Sequence, residues 1–381
     1  MTKKDIIDFE QIYESAYRCR NGVNWKPSTK HFMLNVIEKS LIMERKCRDE
    51  TWENGKPRPI RITYPKLRDG LSISFIDRVY QRSLNDNALY PIMSKSFIFD
   101  NAACQKGKGT DFARRQIKKH IRNFFAKYGL DGYILQIDIK GYYPNMRHDA
   151  VNKKFKKQLP DDIFKMVCNV LDSQYAGHVG YNPGSQMVQI AGISILDDLD
   201  HFIKEQLHEK YYIRYMDDIW ILNHSRKKLE QDLSVIKSKL NEIGFEVHPK
   251  KTHIEHMKRK FSFLGFDYLI TESGKIIMLL NSDNIKHERK RLKKMVAKAK
   301  NGEMTRDKID QCYESWKAHA SKGNTYKMLQ RMDKYYKDLW GDESAKTYKK
   351  KNEYSAGKTN GVYESGNRKT GCTYGLSGCY D

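Results

Sequence analysis

The sequence predicts an α+β fold in which helices flank an antiparallel sheet. Apolar side chains recur at helical spacing in the first ~50 residues, for example Phe32, Val36 and Leu41, and the chain is again helical and basic from about residue 283. Between these regions, "YYIRY" and "IWIL" are short runs of Ile, Tyr and Trp, which are typical of β-strands. Only Met216 and two aspartates separate these runs, so they predict an antiparallel hairpin.

The intervening elements follow from the same patterns. A strand is predicted in "PIRITY", a helix from about Ile76, and a further helix that ends at Gly129, a residue suited to a helix C-terminus. The apolar, β-branched run "YILQID" predicts a strand that ends at Asp138. After the hairpin, an amphipathic helix is predicted to end at Gly244, and a last hairpin to turn near Gly274.

The charge of the chain indicates the kind of partner it has. Lysine and arginine number 70 against 47 aspartate and glutamate residues, a formal net charge of +23. An excess of this size indicates a polyanion, and nucleic acid fits best. No run of about 18 apolar residues and no basic-then-apolar leader is found, so no membrane association is expected. The 7 cysteines show no C-x-x-C spacing, which favours reduced thiols and a cytoplasmic location.

Acidic residues provide the candidate chemistry. Asp217 and Asp218 are predicted at the turn of the hairpin, and Asp138 at the end of another strand. Adjacent carboxylates repel each other, and Mg²⁺, which prefers carboxylate and phosphate oxygens, would compensate for this. A solvated turn without a role is the alternative for this short motif alone. Three carboxylates suit two divalent ions about 4 Å apart, one activating a primer hydroxyl and the other stabilising the leaving pyrophosphate.

Five segments, in this order, resemble the palm motifs A to E of reverse transcriptases: "LQIDIKGYYPNM", "NPGSQMVQIAGISILDDLD", "YIRYMDDIWIL", "FEVHPKKTHI" and "FSFLGF". The upstream "PKLRDGLSISFIDRVYQ" resembles the fingers motif of prokaryotic members. The resemblance covers roughly residues 55–345 and is greatest for the bacterial enzymes of group II introns, retrons, diversity-generating retroelements and defence systems.

The resemblance implies a right-hand polymerase. Its parts would be N-terminal helices and fingers at 1–135, an antiparallel-sheet palm at 136–275, a helical thumb at 276–345 and a flexible tail at 346–381. Asp138, Asp217 and Asp218 match the metal-binding triad, with Asp218 the more peripheral ligand. The implied cofactors are two Mg²⁺ ions, and the implied substrates are dNTPs.

Several residues are implied to contact the nucleotide. Tyr143 matches the aromatic residue whose ring excludes a ribose 2′-hydroxyl and so selects deoxynucleotides, whereas the neighbouring Tyr142 is expected in the core. Lys66 and Arg68 match the basic pair that holds the incoming triphosphate, Lys as a point charge and Arg as a fork of donors.

Motif B is the place where this sequence departs from the family. Gly184 matches the glycine at which the backbone approaches the nucleotide. The chain has Asn182-Pro183-Gly184 where many relatives have Pro-Gln-Gly, so the glutamine that touches the nucleotide is missing. Gln186 and Gln189 are the two candidates to replace it, and nucleotide selection depends on which residue does so.

The remaining matches concern phosphates and the primer. Lys251 matches the motif D lysine near the pyrophosphate, a candidate general acid, and Lys250 is the alternative. Phe263–Phe266 matches the primer grip. Lys106 and Lys108 of a Gly-Lys loop, and the basic run Lys290–Lys294 of the predicted thumb, are expected to meet nucleic-acid phosphates.

These features predict an RNA-directed DNA polymerase that copies a dedicated noncoding RNA template into cDNA, with a DNA primer or product and with antiphage defence as the leading context. Two alternatives remain open. One is template-independent or protein-primed DNA synthesis, in which a tail tyrosine supplies the priming hydroxyl; the candidates are Tyr348, Tyr354, Tyr363, Tyr374 and Tyr380. The other is a non-catalytic RNA-binding scaffold, against which the intact aspartate triad argues.

Overall fold

The computed structural model describes residues 4–62, 68–181 and 184–341, and these form two compact units. The first contains the described residues up to Phe124 together with Gly132–Ile254. The second contains Phe125–Asp131 and the described residues from Glu255 onward. The predicted tail at 346–381, with its candidate priming tyrosines, lies outside the described residues. The division into fingers, palm and thumb stays a prediction.

The strands are β1 (Arg58–Ile62), β2 (Arg68–Ser72), β3 (Tyr133–Asp138), β4 (Tyr211–Tyr215), β5 (Asp218–Asn223), β6 (His253–His256), β7 (Phe261–Phe263), β8 (Phe266–Ile270) and β9 (Ile276–Leu280). The α-helices are α1 (Lys4–Ile7), α2 (Phe9–Cys19), α3 (Pro27–Leu34), α4 (Val36–Arg48), α5 (Phe75–Leu84), α6 (Tyr90–Met93), α7 (Thr110–Tyr128), α8 (His148–Gln158), α9 (Asp161–Gln174), α10 (Gln186–Ile195), α11 (Asp197–His201), α12 (Arg226–Glu242), α13 (Ser282–Lys300), α14 (Arg306–Ala320) and α15 (Tyr326–Trp340). Among the described residues, none of the helices combines the length and the hydrophobicity that a membrane span requires.

A four-stranded sheet in the order β4-β5-β3-β6 carries the acidic residues singled out above. β5 pairs antiparallel with both β3 and β4, so the predicted α+β fold with an antiparallel sheet is confirmed. Every residue of β4 is buried, as are the four central residues of β5. Continuous burial explains why both faces of these strands are mainly apolar and aromatic, since a sheet covered on both faces has no solvent side for polar residues; Arg214 of β4 is the exception.

The N-terminal helices pack against α5, which follows the antiparallel β1–β2 hairpin. Ser74 begins α5, because its hydroxyl accepts a hydrogen bond from the Asp77 amide at 3.1 Å. The Asp77 carboxylate in turn accepts hydrogen bonds from the Ser74 hydroxyl at 2.6 Å and from the Gly55 amide at 3.1 Å. Asp77 therefore connects the segment before β1 to the start of α5, which is a structural role.

The second unit combines a three-stranded antiparallel sheet, β7-β8-β9, with α13, α14 and α15. The tight turn between β7 and β8 has positive φ at both Leu264 and Gly265, which suits a two-residue hairpin loop. Tyrosines join the helices, since Tyr313 of α14 donates to Asp333 of α15 at 2.9 Å and Tyr336 of α15 donates to Asp310 of α14 at 2.6 Å. The predicted helices after residue 283 are thus confirmed.

A buried glutamate in the first unit, Glu209, has a raised pKa. Glu209 is 1% exposed, and its carboxylate accepts hydrogen bonds from the Asn223 amide at 2.8 and 3.1 Å. Lys228 lies 3.3 Å from Glu209 and 2.9 Å from Asp232. Burial, together with a hydrogen bond to Asp232, raises the pKa of Glu209 to about 7.

This shift predicts a pH dependence of stability. Between pH 4.5, the ordinary pKa of the group, and about pH 7, the folded protein keeps a proton on Glu209 that the unfolded chain releases. We therefore expect the contribution of Glu209 to the free energy of unfolding to be complete below pH 4.5. It should be lost as the pH rises from there to about 7, by at most about 1.4 kcal/mol per pH unit. Urea unfolding of wild type and Glu209→Gln at several pH values measures it. The amide variant should lack this component of the slope, and an unchanged slope would contradict the assignment.

Candidate active site

The carboxylates meet at one end of the central sheet. Asp138 is the last residue of β3 and Asp218 the first of β5, and the antiparallel register places them directly opposite each other. Residues paired in this way project to the same face, with Cβ atoms about 4.5–5.5 Å apart. Asp217 immediately precedes Asp218 and lies in the turn between Tyr215 and Asp218. Only Asp217 lies in the turn itself, so the prediction that both acids occupy the turn is corrected by one residue: Asp218 belongs to the strand.

Arg214 holds this turn in place. Met216 has a φ of +56°, a left-handed backbone conformation that is unusual for a residue with a side chain. The Arg214 guanidinium donates from Nη1 to the Met216 carbonyl at 3.0 Å and from Nη2 to the Ile193 carbonyl at 2.9 Å. Arg214 thereby connects the turn that carries Asp217 to α10, and it stabilises a backbone conformation that would otherwise be unfavourable.

A buried carboxylate balances the charge of Arg214. Asp200 accepts from Arg214 Nε at 2.7 Å and from Nη2 at 2.6 Å, and both side chains are fully buried. The Tyr212 hydroxyl also donates to Asp200. Burial alone would lower the pKa of Arg214, but the Asp200 charge outweighs this and raises it, so the guanidinium stays charged. The two hydrogen bonds from the planar guanidinium to the carboxylate fix the relative orientation of the two side chains.

Tyr142 and Tyr143 lie beside the same turn. A Cβ atom on Gly192 of α10 would come within 3.3 Å of Met216 Cε and 3.5 Å of each tyrosine ring, so these three side chains pack closely around Gly192. Tyr142 is 4% exposed and donates to the Gly192 carbonyl, which agrees with its expected place in the core. Tyr143 keeps part of its surface exposed, and burial of its hydroxyl raises its pKa. Its position beside the turn suits the sugar-excluding role, which stays a prediction.

Lys251 faces Asp138 directly. Its Nζ lies 3.1 Å from Oδ1 and 2.9 Å from Oδ2, and 57% of the lysine side chain remains exposed. The segment that carries it is attached to the end of β3, since the His248 amide donates to the Asp138 carbonyl at 2.7 Å and the Asp138 amide donates to Thr252 Oγ1 at 3.4 Å. Lys250 is exposed, and no ion pair joins its ammonium to any described residue. The geometry favours Lys251 over Lys250 as the lysine of the site.

The two lysines form a matched pair for mutation. Lys251→Ala should lower the rate constant of nucleotide addition by about 10- to 100-fold, somewhat below the range typical of removing one positioned acid–base group. Lys250→Ala removes the same charge one residue away and should stay within about twofold of wild type. Single-turnover primer extension of both variants measures this. Equal losses in the two variants would show that Lys251 acts only through the general charge of the segment.

The other sequence-predicted site residues are less closely defined. Lys66 lies outside the described residues, and of Arg68 only the backbone is described, at the start of β2 opposite Ile62. Gly184 has a φ of +150°, a conformation that favours glycine, and stands two residues before Gln186, the first residue of α10. Gln186 is exposed and Gln189 is half-buried. The nucleotide-binding roles of Lys66, Arg68, Gly184 and Gln186 stay predictions.

The contacts of Lys108 differ from the expected contact with nucleic-acid phosphates. Its ammonium donates to the backbone carbonyls of Phe99 at 2.8 Å and Asn101 at 3.0 Å, and burial lowers its pKa. It therefore stabilises its own loop, whereas Lys106 is exposed. Sequence reasoning also missed Arg214, because a lone arginine within an apolar strand carries no signal of its partner in α11.

The donor set fits a hard divalent cation chemically, since all three acids of the site offer carboxylate oxygens. Within the described ranges, however, no group of three or more His, Cys, Asp and Glu side chains is arranged as a formed metal site. Asp138 is instead paired with Lys251. Cation binding would therefore require the lysine to leave the carboxylate or to share it.

Carboxylates that meet at one end of a sheet are a donor set that suits phosphoryl transfer assisted by divalent metal ions. The sequence model of the family described as reverse transcriptase (RNA-dependent DNA polymerase) matches residues 56–268, more than half of the chain. The chain belongs to this reverse transcriptase family. The match contains Asp138, the turn with Asp217 and Asp218, and Lys251.

Solved structures that match part of this chain include telomerases. One is the Candida albicans telomerase in complex with a TWJ fragment of telomeric RNA, at 14% identity and a TM-score of 0.44, covering 64% of this chain and 48% of that one. Another is the apo telomerase of Candida tropicalis truncated from its C-terminal domain, at 12% identity and a TM-score of 0.45, covering 65% of this chain and 60% of that one. The chain thus spans about half to three fifths of the length of these telomerases. A comparison with curated protein sequences finds no match.

Proposed function

We propose that the protein is an RNA-directed DNA polymerase that extends a DNA primer on an RNA template. The observation that carries this proposal is the register that sets Asp138 opposite Asp218, within the part of the chain that matches the family. Lys251 beside Asp138 adds a proton donor or a cation at the same point. A scaffold that only binds RNA has no need for this convergence of charged groups.

Mg²⁺ and dNTPs are the proposed cofactor and substrates. Asp138, Asp217 and Asp218 would hold two Mg²⁺ ions, which when bound supply charge stabilisation for phosphoryl transfer. Three protein side chains have further proposed roles in positioning, in charge stabilisation and in the choice of sugar. Arg214 keeps the turn of Asp217 in position, Lys251 donates a proton or positive charge near the leaving pyrophosphate, and Tyr143 excludes a 2′-hydroxyl.

The nucleic-acid partners follow from charge. Besides the net charge of +23, the outer face of α13 carries exposed Lys290, Lys293 and Lys294. Arg291 on the same helix pairs with Glu288 at 3.1 Å, so its charge is partly neutralised. Exposed lysines on one helix suit the phosphates of a primer–template duplex.

The proposed biological context is a bacterial cytoplasm, with a dedicated noncoding RNA as template and antiphage defence as the role. The support is the resemblance of "FDNAACQKGKGT" and "SWKAHASKGNTY" to segments of diversity-generating and defence-associated enzymes. Sequencing the nucleic acid that copurifies with the protein from its native host tests this context. A single enriched RNA with cDNA complementary to it is expected, and a random sample of cellular RNA would contradict it.

Primer extension on a heteropolymeric RNA tests the activity itself. The product is sequenced, and we expect DNA complementary to the template. Product made in the absence of template would support template-independent synthesis instead. Product covalently attached to protein, released only by protease, would support protein priming. The same template made of DNA serves as the comparison for RNA preference.

A further inference from the structure

A loop in the first unit, residues 98–108, is attached to β4 on the side away from β5. The Arg214 amide donates to the Asp100 carbonyl at 3.1 Å, and the Ala102 amide donates to the Arg214 carbonyl at 2.9 Å. These two bonds form a parallel bridge between Asn101 and Arg214. We refer to this segment as the Cys104 loop. It is joined to the strand that leads into the turn with Asp217.

Further hydrogen bonds close the Cys104 loop on itself. The ammonium of Lys108 and the side-chain amide of Gln105 both donate to the Asn101 carbonyl, at 3.0 and 2.6 Å. The Asp100 carboxylate lies 3.2 Å from Nε2 of His120 in α7. The backbone of the loop is therefore fixed from inside and from a neighbouring helix, and its side chains have little freedom to retreat.

Cys104 contacts the residue before the catalytic aspartates. Its Sγ lies 3.7 Å from Sδ of Met216. Cys104 has a φ of +52°, a left-handed conformation that directs its side chain differently from that of an extended residue. Cε of Met216 lies 3.3 Å from the position that a Cβ atom would take on Gly192. The side chain of Met216, which is 8% exposed, thus touches the Cys104 loop through its sulfur and α10 through its methyl group.

The ring of Tyr143 lies in the same packing group. One of its ring carbons is 3.5 Å from the same Cβ position on Gly192. Burial, and after it the neighbouring Cys104 thiol, raise the pKa of Tyr143. The backbone of Tyr143 is held separately, because its carbonyl accepts a hydrogen bond from the Tyr181 amide at 2.9 Å. The position of the ring therefore depends on the side chains packed beside it.

The chemistry of Cys104 indicates a packing role. Burial raises the pKa of its thiol to about 11, so the thiol keeps its proton at neutral pH. A protonated thiol is neither a good nucleophile nor a good metal ligand. Such a cysteine acts as a small apolar group whose contribution is the volume of its sulfur.

We propose that Cys104 is a positioning residue for sugar selection, because its sulfur holds Met216 against Gly192 and Met216 in turn limits the movement of the Tyr143 ring. Methionine is flexible and fills irregular gaps, so Met216 would move into the space left by a missing sulfur. The ring would then gain room to yield to a ribose 2′-hydroxyl. This inference rests on the proposed function and adds to it a residue outside the five palm-like segments that sets its selectivity.

Incorporation of a single nucleotide into a primer annealed to RNA tests the proposal. The ratio of kcat/KM for dATP to kcat/KM for ATP measures sugar discrimination. It is determined for wild type, Cys104→Ala, Cys104→Ser, Tyr143→Ala and the double variant Cys104→Ala/Tyr143→Ala. The control is Cys168→Ala, which removes the sulfur of another half-buried cysteine, in α9 of the same unit. Urea unfolding is measured on each preparation.

The expected results separate positioning from general stability. Cys104→Ala should lower the discrimination ratio about tenfold, the lower end of the range for a methylene-sized change in a pocket. The loss should come from faster use of ATP, with kcat/KM for dATP within about threefold of wild type. Cys104→Ser, which keeps a group at the same place, should retain most of the discrimination. In the Tyr143→Ala background, Cys104→Ala should cause no further loss, because the ring through which it acts is missing.

Three outcomes would overturn the proposal. One is a discrimination ratio for Cys104→Ala that is unchanged or that falls only as far as in Cys168→Ala. Another is an equal fall in kcat/KM for both nucleotides, which would mean a merely structural role. The third is a loss in the Tyr143→Ala background as large as in wild type, which would mean that Cys104 acts without the ring.

A second variant keeps the test valid if Cys104→Ala does not fold. Met216→Leu removes the same sulfur contact from the other side and should also lower the discrimination ratio about tenfold. An unchanged ratio in Met216→Leu would overturn the proposal in that case. Wild type that extends the primer with dATP while these ratios stay unchanged refutes only this inference. Wild type that extends nothing refutes the proposed function and this inference with it.

Discussion

Asp138→Asn is expected to lower the rate constant of primer extension at least about 10³-fold. Asparagine has the same shape but lacks the charge, and charge stabilisation at such a site is worth several kcal/mol, with each 1.36 kcal/mol corresponding to about tenfold in rate. Asp138 stands opposite Asp218 and beside Lys251, so its loss alters the whole cluster. Single-turnover extension with saturating dNTP measures the effect.

Asp172→Asn is the matched control, since Asp172 is exposed in α9. It should retain the wild-type rate. RNA binding by Asp138→Asn should equal or exceed that of wild type, because a negative charge has been removed from a protein that binds a polyanion. A rate within tenfold of wild type would show that Asp138 is not part of the catalytic group.

Arg214→Leu is expected to destabilise the fold by about 3–5 kcal/mol, because it leaves the Asp200 carboxylate buried without its partner. The substitution also removes the hydrogen bonds that Arg214 donates to the carbonyls of Met216 and Ile193. Urea unfolding measures the loss of free energy. A loss below about 1 kcal/mol would mean that the buried pair contributes little beyond a hydrophobic replacement.

A second variant separates stability from positioning. Arg214→Leu/Asp200→Leu removes both charges, and such replacements of buried ion pairs are often neutral in stability. We expect the double variant to regain most of the lost stability but to stay at least about tenfold slower in extension, because nothing then holds the Met216 carbonyl. Restored activity together with restored stability would show that Arg214 has only a structural role.

The strands of the site were predictable because their signals are local. Each of β3, β4 and β5 is a short apolar run, and the acids stand where such runs end. The placement of Asp218 within β5 was not predictable, since strand ends are set by pairing with β3 and not by the identity of the residue. The resemblance to reverse transcriptases depended on the same segments and was confirmed by the family match.

The interactions that sequence reasoning missed depend on tertiary packing or on the shape of a loop, neither of which a local sequence pattern shows. "DDLD" offers several acids, and only the packing of α11 against β4 shows that Asp200 is the partner of Arg214. Lys250 and Lys251 are adjacent in an irregular segment, so no periodicity separates them, but the His248 amide bound to the Asp138 carbonyl decides which lysine faces the acid. Lys108 was expected to meet nucleic-acid phosphates, but its ammonium donates to backbone carbonyls of its own loop.

Incorporation of labelled dNTP into a DNA primer annealed to RNA tests the central claim most directly, with wild type compared with Asp217→Ala/Asp218→Ala. We expect template-dependent extension by wild type and none above background by the variant, while the variant binds the primer–template at least as tightly as wild type. Equal incorporation by the two proteins, or extension that does not follow the template sequence, would contradict the assignment of this chain as an RNA-directed DNA polymerase.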